Sequence, residues 1–173
     1  MDHDLLLSKM HYYGISGKGF TLIRSYLKDR YQRVIISNKS QQYFSEWEPI
    51  RYGVPQGSIL GPLLFILYTN DLPKTMATSA NPVLFADDTI MIITNPDLME
   101  FTNSINMNSL KLNRWLKSNS LSLHIEKTHF LQFCTKTNQN YDFQPLYDNR
   151  QITKVESIKF LGITLDSIME ATY

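Results

Sequence analysis

Val83-Leu84-Phe85-Ala86-Asp87-Asp88-Thr89-Ile90-Met91-Ile92-Ile93 reads as two short apolar strands interrupted by a pair of acids. Adjacent carboxylates between strand-like segments are costly to bury unless a cation neutralises them, and a divalent metal does so best. A hairpin whose turn carries Asp87 and Asp88 sets acceptor oxygens at the exposed end of a rigid strand pair, where Mg²⁺ is shared with phosphate oxygens. Aspartate is also a favoured turn residue, so the pair taken alone reads sooner as a polar hairpin tip than as a metal site. The flanking segments have to separate the two readings.

Upstream, Gly53-Val54-Pro55-Gln56-Gly57-Ser58 is rich in turn residues and leads into Pro62-Leu63-Leu64-Phe65-Ile66-Leu67-Tyr68. Proline in a first turn suits a helix start, and the run predicts a buried helix. Arg33 to Ser37 and Gln42 to Trp47 predict a hairpin across Asn38 to Gln41. Nearer the start, Asp4 is expected to cap a helix through Tyr12 with Gly14 as its stop, and Phe20, Leu22, Ile23, Tyr26 and Leu27 repeat at helical spacing.

Downstream, Asn95-Pro96-Asp97 reads as cap, first turn and dipole-matched carboxylate. Leu98, Phe101, Ile105, Leu112, Trp115 and Leu116 then mark a long helix that covers the sheet. Short strands follow at Leu121 to Ile125, Phe130 to Cys134, Gln144 to Tyr147 and Ser157 to Leu165, separated by polar turns such as Lys136 to Asn140. With no internal repeat and no convincing linker, residues 1–173 are expected to form one α+β unit.

A chain of 173 residues, 43% hydrophobic and 19% charged, has the composition of a globular protein with a core. The longest apolar run, Ile59 to Tyr68, contains Gly61 and Pro62 and falls well short of the ~20 residues that span a bilayer. Met1-Asp2-His3-Asp4 is acidic where a secretory signal is basic, so an intracellular protein is expected, in nucleus or cytoplasm alike. Cys134 is the only cysteine, which rules out an internal disulfide, and the four histidines lack zinc-ligand spacing. The net charge of +1 leaves nucleic acid open, because a binding face needs only a local excess. Lys18, Arg24, Lys28, Arg30 and Arg33, opposed by Asp29, supply one; they serve equally as phosphate contacts or as a solvated helix face.

Three segments carry a resemblance: Gly53-Val54-Pro55-Gln56-Gly57-Ser58-Ile59-Leu60-Gly61-Pro62, Leu84-Phe85-Ala86-Asp87-Asp88-Thr89 and Lys159-Phe160-Leu161-Gly162. In this order they resemble the reverse-transcriptase palm of non-LTR (LINE-like) retrotransposons. Asp2-His3-Asp4-Leu5-Leu6, Ser25-Tyr26-Leu27, Asn70-Asp71-Leu72-Pro73 and Glu126-Lys127-Thr128 extend the likeness over nearly the whole chain.

The resemblance implies an α+β fold: a palm-type antiparallel sheet with helices packed on one face. It implies an RNA-directed DNA polymerase whose partners are an RNA template and a DNA primer, with deoxynucleoside triphosphates as substrate and Mg²⁺, or Mn²⁺, as cofactor. Asp87 matches the family's metal-binding aspartate and Asp88 its weaker-acting neighbour. Gly53, Pro55, Gln56, Gly57 and Ser58 match the nucleotide and template contact; the glycines let backbone approach a base pair, and Gln56 both donates and accepts. Without the acid pair this stretch reads as an ordinary loop before a helix. Lys127 matches a lysine that protonates departing pyrophosphate, and reads otherwise as a solvated side chain. Phe160, Leu161 and Gly162 match the primer grip, and read otherwise as a plain buried strand with Ile163 and Leu165. Trp47 and Trp115 are candidates for base stacking; Trp115 lies on an apolar helix face and is placed in the core, whereas Trp47 stays open.

The family carries a further metal-binding aspartate on a central palm strand, just upstream of the segment that Asp2-His3-Asp4 resembles, and fingers before that. Neither matches residues here, so the expectation is an incomplete palm whose fingers and first catalytic strand belong to the same polypeptide. A metal pair bridged from two strands does not form from one, so the 173 residues alone are expected to be inactive. The competing reading is a non-catalytic remnant or co-opted module that binds nucleic acid or protein through Lys18 to Arg33. A metal nuclease is a third, weakened by the lack of a further Asp, Glu or His cluster in the sequence.

Overall fold

The computed structural model describes residues 1–77, 80–133 and 143–167. Cys134 and the turn expected over Lys136 to Asn140 lie outside them. The chain forms two compact units: Met1–Leu72 with Phe85–Asp88, and Pro73–Leu84 with the residues described from Thr89 on.

The first unit is built on three helices, α1 His3–Tyr12, α2 Gly17–Leu27 and α3 Leu60–Thr69, with α1 packed on both others. Leu6, Met10, Leu64 and Tyr68 are fully buried and form its centre. The cap of α1 is Asp2 rather than the expected Asp4: the Asp2 carboxylate accepts from the Leu5 N–H at 2.9 Å from an extended backbone. Asp4 sits inside the first turn, where its charge still suits the dipole. Asp2→Ala is expected to cost about 1 kcal/mol of stability, read as a lower urea midpoint. Tyr13 closes the helix and Gly14 follows at φ +84°, the left-handed stop that its position suggested.

Helix α3 begins at Leu60 as the proline indicated, but only one face is buried. Gly61, Leu64, Tyr68 and Thr69 face inward, whereas Leu63 and Ile66 are 50% and 57% exposed. Burial is therefore one-sided, and the outer face of α3 exposes apolar side chains where the all-apolar sequence implied an enclosed helix.

Between α2 and α3 the chain rises as a ribbon. β1 Tyr31–Gln32 pairs antiparallel with β4 Glu48–Pro49, and β2 Ile35–Ser37 pairs with β3 Gln42–Phe44. Asn38 Oδ1 accepts from the N–H groups of Ser40 and Gln41, fixing the expected turn.

Helix α4 Leu72–Met76 precedes strands β5 Asn81–Phe85 and β6 Asp88–Ile92, most of whose residues belong to the second unit while Leu72, Phe85 and Asp88 belong to the first; α5 Leu98–Ser118 follows in the second unit. Asp97, not Asn95, caps α5, accepting from the Glu100 N–H at 2.8 Å, while Asn95 Oδ1 holds the Asp97 N–H in a turn just before it. The helix buries Ile105, Asn108 and Trp115, which places Trp115 in the core as expected, and it packs against β8 Leu146–Tyr147. Strand β7 is His129–Leu131; the strand expected over Leu121 to Ile125 is absent there, and a 3₁₀ turn forms at Ile125–Lys127. β8 makes a hairpin with β9 Arg150–Gln151, β7 pairs with β10 Thr153–Val155, and β11 Ser157–Phe160 pairs with β12 Ile163–Asp166.

The mixed α+β character matches expectation. The strands, however, join as two-stranded sheets, none wider among the described residues, and β7–β10 is parallel where an antiparallel sheet was expected. Among the described residues no helix is long and apolar enough to cross a membrane.

Candidate active site

Strands β5 and β6 are joined by Ala86 and Asp87 alone, a connection short enough only for an antiparallel hairpin. Asp87 lies in the turn and Asp88 is the first residue of β6, one step further along than a turn carrying both acids. Both are exposed. Ala86 adopts φ +52°, a left-handed conformation that costs a residue with a Cβ about 1 kcal/mol. Strain of this kind persists where the surroundings over-determine it, and it gathers at functional sites. This tip, Phe85–Asp88, falls within the same compact unit as the loop Gly53–Ser58.

The loop is held from below. The Gly53 N–H donates to the Met1 carbonyl at 2.7 Å, and His3 Nε2–H donates to the Gly53 carbonyl at 2.6 Å. Tyr52 bridges Asp2 beside them. Ser58 braces the far end of the loop, since its Oγ accepts from the Gly61 N–H at 3.1 Å and its own N–H donates to the Pro55 carbonyl at 3.2 Å. Pro55, Gln56 and Gly57 remain exposed above this base. Gly53 and Gly57 both lie at φ +78° with open space where a Cβ would stand. What demands glycine is therefore the backbone angle, and the vacant volume leaves room for a ligand's close approach.

Beneath the loop, a network that no local pattern announced ties α1 to α3. Lys9 Nζ donates at 2.7 Å to both the Tyr68 carbonyl and Asp71 Oδ1, and the Tyr68 hydroxyl accepts from the Asp2 N–H at 3.3 Å. Burial pushes the Tyr68 hydroxyl above the ordinary tyrosine value, aided by the charges of Asp2 and Asp71 and opposed by that N–H bond. A raised folded value means stability that is complete below the unfolded-state value near ~10 and is lost as pH rises through the folded one. Urea unfolding between about pH 9 and pH 11 is expected to show a shallower alkaline decline for Tyr68→Phe than for wild type. Part of the slope survives, because Tyr13 and Tyr147 are raised as well, again chiefly by burial.

Lys127 and the Phe160–Gly162 segment belong to the second unit. Lys127 ends the 3₁₀ turn with an exposed side chain. Leu161 and Gly162 form the two-residue turn between β11 and β12, both at positive φ, with Leu161 52% and Ile163 66% exposed. Leu161 and Gly162 are thus an exposed turn, whereas Phe160 is the half-buried last residue of β11 and Leu165 is half-buried in β12.

The donor set can be tested against a metal. Two exposed neighbouring carboxylates suit one hard cation that keeps waters and shares phosphate oxygens. Among the described residues no group of three or more His, Cys, Asp or Glu gathers, so a bridged pair of cations needs a further ligand.

Residues 1–165 match the family model described as reverse transcriptase (RNA-dependent DNA polymerase). The chain belongs to the reverse transcriptase family. The reverse transcriptase segment is 31% identical over 176 residues to the probable RNA-directed DNA polymerase from transposon BS of Drosophila melanogaster, covering 95% of this chain and 18% of that protein. It is 27% identical over 153 residues to the RNA-directed DNA polymerase from mobile element jockey of the same organism, covering 85% and 16%. Its identity to the probable polymerase from transposon X-element is 26% over 151 residues, again covering 85% and 16%. The chain thus spans less than a fifth of the length of the curated relatives it matches. No solved structure matches it.

Proposed function

We propose that this chain is the palm portion of a non-LTR retrotransposon's RNA-directed DNA polymerase, which extends a DNA primer on an RNA template with deoxynucleoside triphosphates. The observation that supports this most is the acid pair on a strained, exposed hairpin tip, in the unit that also holds Gly53–Ser58. Membership of the reverse transcriptase family supports a metal-binding reading of that pair.

Asp87 would be the principal ligand for Mg²⁺, with Asp88 as its adjunct. The metal, when bound, would supply positive charge that neutralises the triphosphate and lowers the pKa of the primer hydroxyl. The vacant space beside Gly53 and Gly57 admits the base pair being formed, with Gln56 presenting both a donor and an acceptor. Lys127, whose side chain is exposed, gives a proton to departing pyrophosphate, and the Phe160–Leu161–Gly162 segment holds the primer end. A second bridged cation requires a carboxylate from outside the described residues, expected from a central palm strand of the same polypeptide. In this reading β5–β6 is one part of the palm's antiparallel sheet.

The test is to place residues 1–173 into a relative's polymerase in place of its matching segment and to measure primer extension on an RNA template. Extension by the chimera supports the reading. A folded chimera that binds template and primer without extending sinks it in favour of a non-catalytic binding module.

A further inference from the structure

The β1–β4 ribbon has both faces open. Ile35 and Phe44 pair across β2 and β3 on one face, Ile36 and Tyr43 on the other, and all four are at least half exposed. An apolar surface of this kind marks an interaction site, and its occupant must be argued from the chemistry around it.

That chemistry is cationic and aromatic. Arg33 lies over two rings, with its guanidinium carbon 4.3 Å from the Phe44 centroid and 4.7 Å from that of Trp47. Trp47 is itself 57% exposed. Next to the ribbon, Arg30 stacks on Tyr26 at 4.9 Å and donates to the Tyr26 carbonyl. From Lys18 to Arg51 seven Lys and Arg meet only three acids, Asp29, Glu46 and Glu48, in a chain whose net charge is +1. None of the seven is in an ion pair among the described residues. Stacked planar groups inside a local excess of unneutralised cations match unstacked bases carried on phosphates, since every base has a π-face and every linkage a negative charge. A protein partner would need acidic and apolar complements together; a duplex would offer phosphates but no open base faces.

We propose that the Arg33–Phe44–Trp47 platform on the ribbon binds single-stranded nucleic acid, by stacking bases on Trp47 and Phe44 while the neighbouring cations hold phosphates. The contact uses no 2′-hydroxyl, so RNA and DNA strands bind alike. It is independent of the chemistry at Asp87 and Asp88, and it assigns a partner to the residue, Trp47, for which the sequence left base stacking undecided.

The 173-residue chain carries two tryptophans, so Trp115→Phe leaves Trp47 as the sole indole reporter. Titration with oligo(U) or oligo(dT) is expected to quench that fluorescence, with affinity falling steeply as salt rises. In parallel, anisotropy of labelled oligonucleotide with Trp115 intact is expected to show Trp47→Ala and Arg33→Ala each weakening binding by about tenfold, with thermal midpoints unchanged. Arg33→Lys keeps the charge but not the planar stack and falls between. Equal affinity for duplex, no effect of Trp47→Ala, or quenching that follows protein concentration without oligonucleotide would overturn the proposal; the last would assign the ribbon to self-association through its open strand edges.

Discussion

Asp87→Ala in the chimeric polymerase is expected to lower primer extension on RNA by about a thousandfold, roughly 4 kcal/mol of transition-state stabilisation. The size follows from the role assigned to the side chain. A hard cation at the triphosphate is held by very few protein oxygens, so removing one charged ligand removes much of what orients and neutralises the reacting phosphates. Asp88→Ala is expected to cost about tenfold, ~1.4 kcal/mol, because an adjunct ligand is more readily replaced by water. Neither change should disturb folding: both side chains are exposed, and surface substitutions of this kind stay within about 0.5 kcal/mol. The unfused 173 residues, which gather no third ligand among the described residues, serve as the arm expected to show no incorporation. Retention of extension within tenfold by the Asp87→Ala chimera would remove the acid pair from the mechanism.

What the sequence disclosed was local, and what it withheld was distant. The acid-bearing hairpin and the Asn38–Gln41 hairpin were legible because turn residues sit between apolar strands within a dozen positions, and both form. The caps were displaced by two residues in each case. Asp2 and Asp4, like Asn95 and Asp97, are chemically equivalent candidates, and the choice between them lies in the backbone angles of the preceding chain. The parallel β7–β10 pair could not be read, since two three-residue strands joined by a crossover leave no periodic trace. Of the candidate site, the residue types were visible as motifs. The props beneath the loop, His3 to Gly53 and Lys9 to Tyr68 and Asp71, join positions fifty or more apart in the chain and have no signature in either segment alone.

Those props make the core of the first unit a determinant of the loop, which is why Leu64→Ala is expected to have the largest effect on stability. Leu64 is fully buried on the inner face of α3, in the centre that Leu6, Met10 and Tyr68 also occupy. Truncation removes its transfer free energy and leaves a cavity that rigid helix packing only partly closes, a cost of about 3 kcal/mol. Against a typical total of about 5–15 kcal/mol this is a large fraction, and it corresponds to a urea midpoint lower by roughly 1–2 M. Ile66→Ala, two residues along the same helix but 57% exposed, controls for helix propensity and should shift the midpoint little. Equal shifts for the two variants would mean that α3 does not bury the face described. A large shift for Leu64→Ala alone carries a functional corollary. Ser58 is bonded to the first turn of α3, and Gly53 to the segment that opens α1, so loosening the α1–α3 contact releases both ends of the loop. In the chimera, Leu64→Ala should then raise the KM for deoxynucleotide before it abolishes folding, whereas Asp87→Ala acts on kcat with the fold intact.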